Sequence, residues 1–345
     1  MTNTNFRTID LSSGDAIEQS SALTNGLGDL EHAVTNPPAW LQQALSVPRE
    51  EGFVNVDGCD IHYFRWGDPS KPAIVMLHGF IAHARCFAFI APYLADDYHV
   101  VAYDFSGMGD SGSRDSYSED VRTSELLGVT QQLGLFDGGA KPTIIAHSYG
   151  GHVGVAALHA HADKFAGIVI CDLMILRPSV IEGNAEKFKP PGNLNANKPN
   201  RVYSDYETAK QRFVLSPVQQ VEHEELFDFM AYHSLKQVDG GWSWKFHPSV
   251  FAGQENMEER WASVGKRVVE TPGPKAIVYG KESRLFSDDS VVYVNELIDA
   301  NDSPAIPIIG IPHARHHLML DQPIAFVSSL KMVLALWAAA SDECA

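Results

Sequence analysis

The fold of this 345-residue chain is decided by the stretch Thr143-Ile144-Ile145-Ala146-His147-Ser148-Tyr149-Gly150-Gly151. An apolar, β-branched run leads into Ser148, and a helical pattern follows at once. Small residues two positions before and after the serine, Ala146 and Gly150, allow a strained turn that lifts the hydroxyl clear of a sheet. A nucleophile elbow requires this succession of strand, turn and helix. We therefore predict that Ser148 is a nucleophile; the alternative is a glycine-rich turn with an incidental serine.

Short apolar runs on both sides of this stretch have the length and composition of buried parallel strands. They are Ala73–Leu77, His99–Tyr103, Thr143–Ala146, Gly167–Cys171 and Ala276–Tyr279. Helix-length segments alternate with several of them, at Phe87–Leu94, Tyr117–Leu133 and Gly151–Ala160. The alternation predicts a doubly wound, mostly parallel α/β sheet. A hairpin of Phe53–Val56 and Ile61–Trp66 is expected to open it.

The alternation stops between Arg177 and about Gly265, and this interruption divides the chain. We expect an N-terminal extension at 1–50, whose first 35 or so residues lack a hydrophobic period and form a loosely ordered arm. The core is expected at 51–176 and 265–345, with a mostly helical cap or lid at 177–264. Aromatic residues of the cap either pack together or line an underside that excludes water. They are Phe227, Phe229, Tyr232, Trp242, Trp244 and Phe246.

Three further motifs accompany the elbow in a fixed order. His78-Gly79-Phe80 follows an apolar run, and Asp104–Ser111 has the pattern D-x-x-G-x-G-x-S. The histidine-containing segment Pro312–Pro323 follows the last strand-like run, Ala305–Ile309. From about residue 50 to its C-terminus the chain resembles the α/β-hydrolase superfamily. It looks most like the capped single-domain branch, which includes esterases, lactonases, C–C bond hydrolases, epoxide hydrolases and haloalkane dehalogenases.

The resemblance implies a histidine base for Ser148, because a serine hydroxyl is a poor nucleophile until its proton is taken. The base of this fold comes late in the chain and commonly stands seven positions before the proline that opens the last helix. His316 meets this condition, which leaves His317 as a packing residue. The alternative is a metal site of His313, His316 and His317, although the HExxH pattern is missing.

The acid of the triad is the member for which the resemblance gives two candidates. Its commonest position in this fold, three residues after Gly280, holds Ser283. Some branches move the acid to the end of the preceding strand, where Asp172 stands. We assign Asp172 as the acid, with Glu282 as the runner-up. The alternative for Asp172 is a capping carboxylate at a strand end.

The resemblance also implies the chemistry. Backbone NH groups of Phe80 and Tyr149 would form the oxyanion hole, and His78 would orient its loop. Epoxide hydrolases and haloalkane dehalogenases carry an aspartate at the elbow, so Ser148 argues against both. We expect hydrolysis of a carboxylic ester or lactone through an acyl-enzyme.

Two other functions stay open at this point. The first is C–C hydrolysis of a β-diketone or keto acid, for which Arg85 and Arg177 are candidates to hold an anionic substrate. The second is a binding protein with the hydrolase fold and little turnover, which the serine at position 283 supports.

Composition limits the partners of the protein. The 26 Lys and Arg against 43 Asp and Glu give a net charge of −17, which repels nucleic acid and anionic membranes. No uncharged apolar stretch of ~18 residues predicts a membrane span, and the N-terminus lacks a secretory signal pattern. We expect a cytoplasmic enzyme that acts on a small molecule without metal or organic cofactor, its final helix being core or a homodimer interface. The scattered cysteines predict reduced thiols; they are Cys59, Cys86, Cys171 and Cys344.

Overall fold

A large, mostly parallel sheet runs through the protein, a computed structural model of which describes residues 23–139, 141–182, 198–252 and 257–342. The strands in chain order are β1 (Arg49–Val56), β2 (Cys59–Trp66), β3 (Ala73–Leu77), β4 (His99–Tyr103), β5 (Thr143–His147), β6 (Gly167–Cys171), β7 (Leu235–Val238), β8 (Gly241–Trp244), β9 (Lys275–Gly280) and β10 (Ile308–Ile311). The large sheet has the order β1-β2-β4-β3-β5-β6-β9-β10, and β7 pairs with β8. The pairings β1–β2 and β2–β4 are antiparallel, and the rest of the large sheet is parallel. The predicted α/β fold and its opening hairpin are therefore confirmed.

Helices cover both faces of the large sheet, because its central strands are apolar on both sides. Strands β3, β4 and β6 are buried at every position, as is typical of parallel strands. The helices are α1 (Leu27–Leu30), α2 (Ala39–Ser46), α3 (Glu119–Gln132), α4 (Tyr149–Ala160), α5 (Pro178–Glu182), α6 (Tyr206–Lys210), α7 (Glu224–His233), α8 (Met257–Glu270), α9 (Asp288–Ala300), α10 (Leu318–Asp321) and α11 (Pro323–Asp342). One core cluster includes residues of α3, α4 and α8, and the other includes residues of α2, α7 and α11.

Two elements differ from their predictions because of prolines. The predicted helix Phe87–Leu94 is wrong: the segment has two 3-10 turns, Ala84–Phe87 and Ala91–Tyr93, the second of which contains Pro92. Proline has no N–H and interrupts the helical hydrogen-bond pattern. The last strand begins at Ile308, three residues after the predicted start, because Pro307 cannot donate to the ladder.

The N-terminal segment is more ordered than the sequence indicated. Residues 1–22 lie outside the described part, but Thr24 bridges Arg49 and α1 follows directly. Leu30 and Leu41 are buried in the core. The expectation of a loosely ordered arm is therefore wrong for residues 24–35, since a four-residue helix is too short to show a hydrophobic period.

The segment between β6 and β9 contains the helices α5, α6 and α7, then the hairpin of β7 and β8, and last the helix α8. Residues 183–197 and 253–256 lie outside the described part. This hairpin was not predicted from the sequence. Its turn contains Gly240 with φ of 85°. A Cβ on Gly241 would lie 1.9 Å from the carbonyl oxygen of Tyr203, so only glycine fits there.

Helix α11 contains an 18-residue window, Pro323–Ala340, that is long and apolar enough to cross a membrane by length and composition. The window contains Lys331, so it differs from the uncharged apolar stretch that the sequence analysis looked for and did not find. Inside the protein 39% of the window is buried, and Phe326 and Leu330 belong to the core. Met332 and Leu336 are exposed. A homodimer through this exposed side stays a prediction.

A buried network of charges connects the N-terminal segment, the large sheet and the residue after β8. Arg49 pairs with Asp29 at 2.8 Å, and His62 hydrogen-bonds to Asp104 at 2.8 Å. The other pairs of the network, all of 3.0 Å or less, are His62–Glu51, Arg85–Glu51, Arg85–Asp110 and Lys245–Asp110. Buried charges of one sign are thus matched by charges of the other, as burial requires.

The network makes the stability of the fold dependent on pH through His62. Burial alone would lower the pKa of His62, but hydrogen bonds to Asp104 and Glu51 outweigh burial and raise the pKa to about 9, above the ordinary 6.5. The proton on His62 therefore stabilises the fold fully below pH 6.5, and this contribution is lost as the pH rises through 9. We expect the free energy of unfolding to fall by roughly 2–3 kcal/mol between about pH 6.5 and about pH 9.5, at about 1.4 kcal/mol per pKa unit.

Urea unfolding followed by tryptophan fluorescence at those two pH values measures this change. The variant His62→Gln removes the titrating group, so its stability should be lower near pH 6.5 but nearly constant over the interval. An equal decline in the variant would show that another group is responsible.

Candidate active site

Ser148 occupies a strained turn between β5 and α4. Its backbone has φ of 53° and ψ of −116°, a conformation that a residue with a Cβ rarely adopts. The Ser148 N–H donates to the carbonyl of Cys171 at 2.9 Å, which ties the turn to the end of β6. A Cβ on Gly150 would lie 2.5 Å from the carbonyl oxygen of Leu77, so position 150 requires glycine. This geometry is that of the predicted elbow, and it leaves Ser148 half-buried.

The turn after β3 lies directly against the elbow. A Cβ on Gly79 would be 3.5 Å from the Cβ of Ser148, and the rings of Phe80 and Tyr149 are 5.3 Å apart. His78 accepts a hydrogen bond from the Phe105 N–H at 3.0 Å and donates to the carbonyl of Gly79 at 2.7 Å. Burial lowers the pKa of His78 to about 4, so the ring is neutral near pH 7. Its hydrogen bonds make His78 a loop-orienting residue.

His316 and Asp172 meet at the carboxyl end of β6. Nδ1 of His316 lies 2.8 Å from Oδ1 of Asp172, and both side chains are buried. The other carboxylate oxygen of Asp172 accepts from the Gly280 N–H at 2.9 Å. Asp172 itself has φ of 48°, so this strand also ends in a strained residue. The structure thus brings together the two residues that the sequence analysis chose as base and acid.

Glu282, the runner-up for the acid, is directed away from His316. Its carboxylate pairs with Arg315 at 3.2 Å and with His313 at 3.5 Å, and its side chain is 45% exposed. The role of the neighbouring Ser283, whose hydroxyl donates to Oδ1 of Asp172 at 2.6 Å, was not predicted from the sequence. The available signal was its position, which is the commonest acid position of the family.

Two further histidines, His147 and His317, pack against the ring of His316. The rings of His147 and His317 lie 4.8 and 5.0 Å from its ring. Nε2 of His147 lies 2.9 Å from the backbone carbonyl of His316. Burial first, and the nearby His316 second, lower the pKa of His147 to about 3, so His147 is neutral near pH 7 and donates this hydrogen bond. It therefore holds the backbone of His316 without competing for protons.

The structure does not bring His313, His316 and His317 together around a metal position. The side chain of His313 is 80% exposed and faces Glu282, whereas His316 faces Asp172. In the described ranges the group with metal-ligand character is His62, Asp104 and Asp110, within 4.8 Å of one another. Both ring nitrogens of His62 hydrogen-bond to carboxylates. Because Arg85 and Lys245 also pair with Asp110, protein cations already balance this group.

A buried arginine supports the residue that follows the nucleophile. Nε of Arg122 donates to the hydroxyl of Tyr149 at 3.2 Å, and its guanidinium lies 5.1 Å from the ring centre of Phe105. Arg122 also donates to the carbonyl of Ser106 at 3.0 Å. The periodic pattern of α3 alone gave no signal for this contact.

The segment between β6 and β9 touches the site at two places. The side chain of Gln219 accepts from the His317 N–H at 3.1 Å and donates to Asp321 at 3.1 Å, which holds the loop that carries His316. Phe251 packs edge-to-face on Phe80, with ring centres 5.4 Å apart. The aromatic residues named in the sequence analysis mostly pack with one another or nearby rings, as in the contacts Tyr206–Trp242, Phe213–Phe227 and Trp244–Phe246.

Neither arginine proposed for an anionic substrate has a free guanidinium. Arg85 pairs with Glu51 at 3.0 Å and with Asp110 at 2.7 Å. Arg177 pairs with Glu296 at 2.5 Å and with Asp289 at 3.3 Å, near the surface. Both charges are therefore already balanced by the protein.

Known hydrolases are similar to this chain in sequence. The chain is 25% identical over 134 residues to the uncharacterized hydrolase YugF of Bacillus subtilis, a match that covers 37% of this chain and 48% of that protein. It is 22% identical over 267 residues to the sn-1-specific diacylglycerol lipase ABHD11 of Danio rerio, with 76% and 78% covered. The chain thus spans about half the length of the first of these relatives and more of the second.

The fold has close structural counterparts. The esterase Rv0045c of Mycobacterium tuberculosis superposes with a TM-score of 0.62 at 19% identity, covering 89% of this chain and 95% of that one. A model of the α/β hydrolase family matches residues 74–329, which contain all five candidate site residues. By its sheet, its elbow and this match over about three quarters of its length, the chain belongs to the α/β hydrolase family.

Proposed function

We propose that this hydrolase cleaves a carboxylic ester or a lactone through an acyl-enzyme on Ser148. The observation that carries the proposal is the 2.8 Å hydrogen bond between Nδ1 of His316 and Asp172. With the Nδ1 proton directed at the carboxylate, the lone pair of Nε2 is available to accept the proton of the serine hydroxyl. The Ser148 N–H bonds to the carbonyl of Cys171, the residue before Asp172, which supports placing the elbow serine and the histidine–acid pair in one site. Acyl transfer needs these three groups together.

In the proposed reaction Ser148 Oγ attacks the carbonyl carbon while Nε2 of His316 takes its proton. The N–H groups of Phe80 and Tyr149 stabilise the oxyanion, an electrostatic contribution that is usually large in acyl transfer. His316 then gives the proton to the leaving alkoxide oxygen, and the ester bond breaks. Water attacks the acyl-enzyme with His316 as base, which releases the acid and restores Ser148. The steps need neither a metal nor an organic cofactor.

The surroundings of the elbow favour an apolar substrate group. The half-buried ring of Phe80 contacts the half-buried rings of Tyr149 and Phe251. An apolar group gains free energy by covering such surface. The relative named as a diacylglycerol lipase also supports ester hydrolysis.

The C–C hydrolase alternative needed a free arginine to bind an anionic substrate. Since Arg85 and Arg177 are both paired with carboxylates, neither supports that alternative. The buried free thiols of Cys59, Cys86 and Cys171 agree with a cytoplasmic location, which is part of the proposal.

A substrate panel tests the proposed function. We expect hydrolysis of p-nitrophenyl acetate, butyrate and octanoate, or of a γ- or δ-lactone, with kcat/KM rising as the acyl chain lengthens from acetate to butyrate. A 1,3-diketone should be cleaved at least roughly 100-fold more slowly, because its C–C bond needs a different proton transfer. Cleavage of the diketone without turnover of any ester or lactone would contradict the proposal.

A further inference from the structure

Ser283 forms a direct side-chain hydrogen bond with the proposed acid, Asp172. Its hydroxyl donates to Oδ1 of Asp172 at 2.6 Å, and the same oxygen accepts from Nδ1 of His316. Ser283 is 8% exposed, so water does not substitute easily for this contact. One carboxylate oxygen therefore receives two side-chain hydrogen bonds, one from the base and one from Ser283.

The direction of the Ser283 hydroxyl proton follows from its other contact. The Leu285 N–H donates to Ser283 Oγ at 3.1 Å, which occupies a lone pair of that oxygen. The proton of the hydroxyl is then directed at Asp172, an ionised acceptor that makes hydrogen bonds stronger than neutral ones. With the Gly280 N–H on Oδ2 at 2.9 Å, donors hold both oxygens of the carboxylate.

We infer that Ser283 is a positioning residue, which holds the Asp172 carboxylate in the orientation and with the charge that the base His316 requires. The inference rests on the proposed function of the same site. The chain thus has a donor at the position where most of its family has the acid, and the acid itself at the end of β6. Ser283 acts through Asp172 and touches neither substrate nor reacting atoms.

Removal of the hydroxyl should weaken catalysis and move its pH dependence. In Ser283→Ala we expect kcat/KM for p-nitrophenyl butyrate to fall roughly 10- to 100-fold, the range for one lost hydrogen bond to a charged group. Without this donor the Asp172 carboxylate keeps more negative charge on Oδ1. That charge stabilises the His316 imidazolium, which therefore holds its proton more tightly. The acidic limb of the pH profile of kcat/KM should therefore move to higher pH, with KM nearly unchanged.

The acidic limb would also move if another charged or titratable group that faces His316 were changed. The groups that face it are Asp172 from the end of β6, the neutral His147 from β5 and His317 from the same loop. The adjacent Arg315 is paired with Glu222 and Glu282. Ser283 is hydrogen-bonded neither to these histidines nor to the ion pairs of Arg315. Among these groups, the substitution Ser283→Ala therefore changes only the contact with Asp172.

A matched pair of variants separates the hydroxyl from the side-chain volume. Ser283→Thr keeps the donor and should retain kcat/KM and the acidic limb of wild type. Ser283→Val has nearly the same shape without the donor and should behave like Ser283→Ala. A fall in kcat/KM that is equal in the Thr and Val variants, with an unmoved limb, would overturn the inference, as would wild-type behaviour of Ser283→Ala.

A measurement on the resting protein keeps the inference separate from the proposed function. The proton between His316 Nδ1 and Asp172 should give a downfield NMR resonance that disappears in His316→Ala and shifts in Ser283→Val but not in Ser283→Thr. If wild type cleaves no ester or lactone, the proposed function fails while this resonance still reports the contact. An identical resonance in Ser283→Val and wild type would overturn the positioning role alone.

Discussion

Replacement of Ser148 with alanine should lower kcat by about 10⁶-fold, the loss expected when the nucleophile of a triad is removed. Among the described residues, no other hydroxyl lies in the elbow between β5 and α4, so none can replace Ser148 as the nucleophile. A fluorophosphonate probe should label wild type at Ser148, with release of fluoride and a mass increase located by peptide mapping. The Ser148→Ala variant should remain unlabelled at this peptide.

Two controls make this result specific. His316→Ala keeps the serine but should slow labelling by orders of magnitude, because the hydroxyl then lacks its base. Ser148→Gly also lacks the hydroxyl, yet glycine tolerates φ of 53°, so it should be more stable to unfolding than Ser148→Ala by about 1 kcal/mol. Wild type that fails to react with the probe, or labelling unchanged in His316→Ala, would contradict the proposed acyl-enzyme.

The elbow and the sheet could be predicted from the sequence because their signals are local. Strand β5 and the glycines after Ser148 lie within nine residues, and each buried strand shows as an apolar run of its own. Prolines caused two of the errors: the helix predicted around Pro92 consists of 3-10 turns, and the strand after Pro307 begins later than predicted. Apolar runs without a proline indicated the type of element more reliably.

The supporting residues of the site could not be predicted, because their roles depend on distant contacts. Ser283 lies 111 positions from Asp172, and Gln219 lies 98 positions from His317. Serine, glutamine and arginine are polar residue types that are mostly exposed, so the residue type alone does not indicate a buried supporting role. Only the folded arrangement turns Arg122 toward Tyr149 and closes the loop of His316 against Gln219.

Asp172→Asn should lower kcat by about 10⁴-fold, with the fold retained. An asparagine can present its NH₂ group to His316, which then turns its Nδ1 lone pair toward the amide and carries its proton on Nε2. A ring in this tautomer cannot accept the proton of the Ser148 hydroxyl. The loss should appear in kcat more than in KM, and p-nitrophenyl butyrate turnover measures both.

Glu282→Gln is the matched control, since it makes the same chemical change one position away from Ser283. Its carboxylate pairs with Arg315 and His313 near the surface, so we expect kcat within about twofold of wild type and a small loss of stability. Thermal unfolding of both variants excludes a difference in folding. A severe loss in Glu282→Gln with a mild one in Asp172→Asn would assign the acid to Glu282. The buried hydrogen bond of 2.8 Å between Asp172 and His316 is the physical reason to expect the opposite.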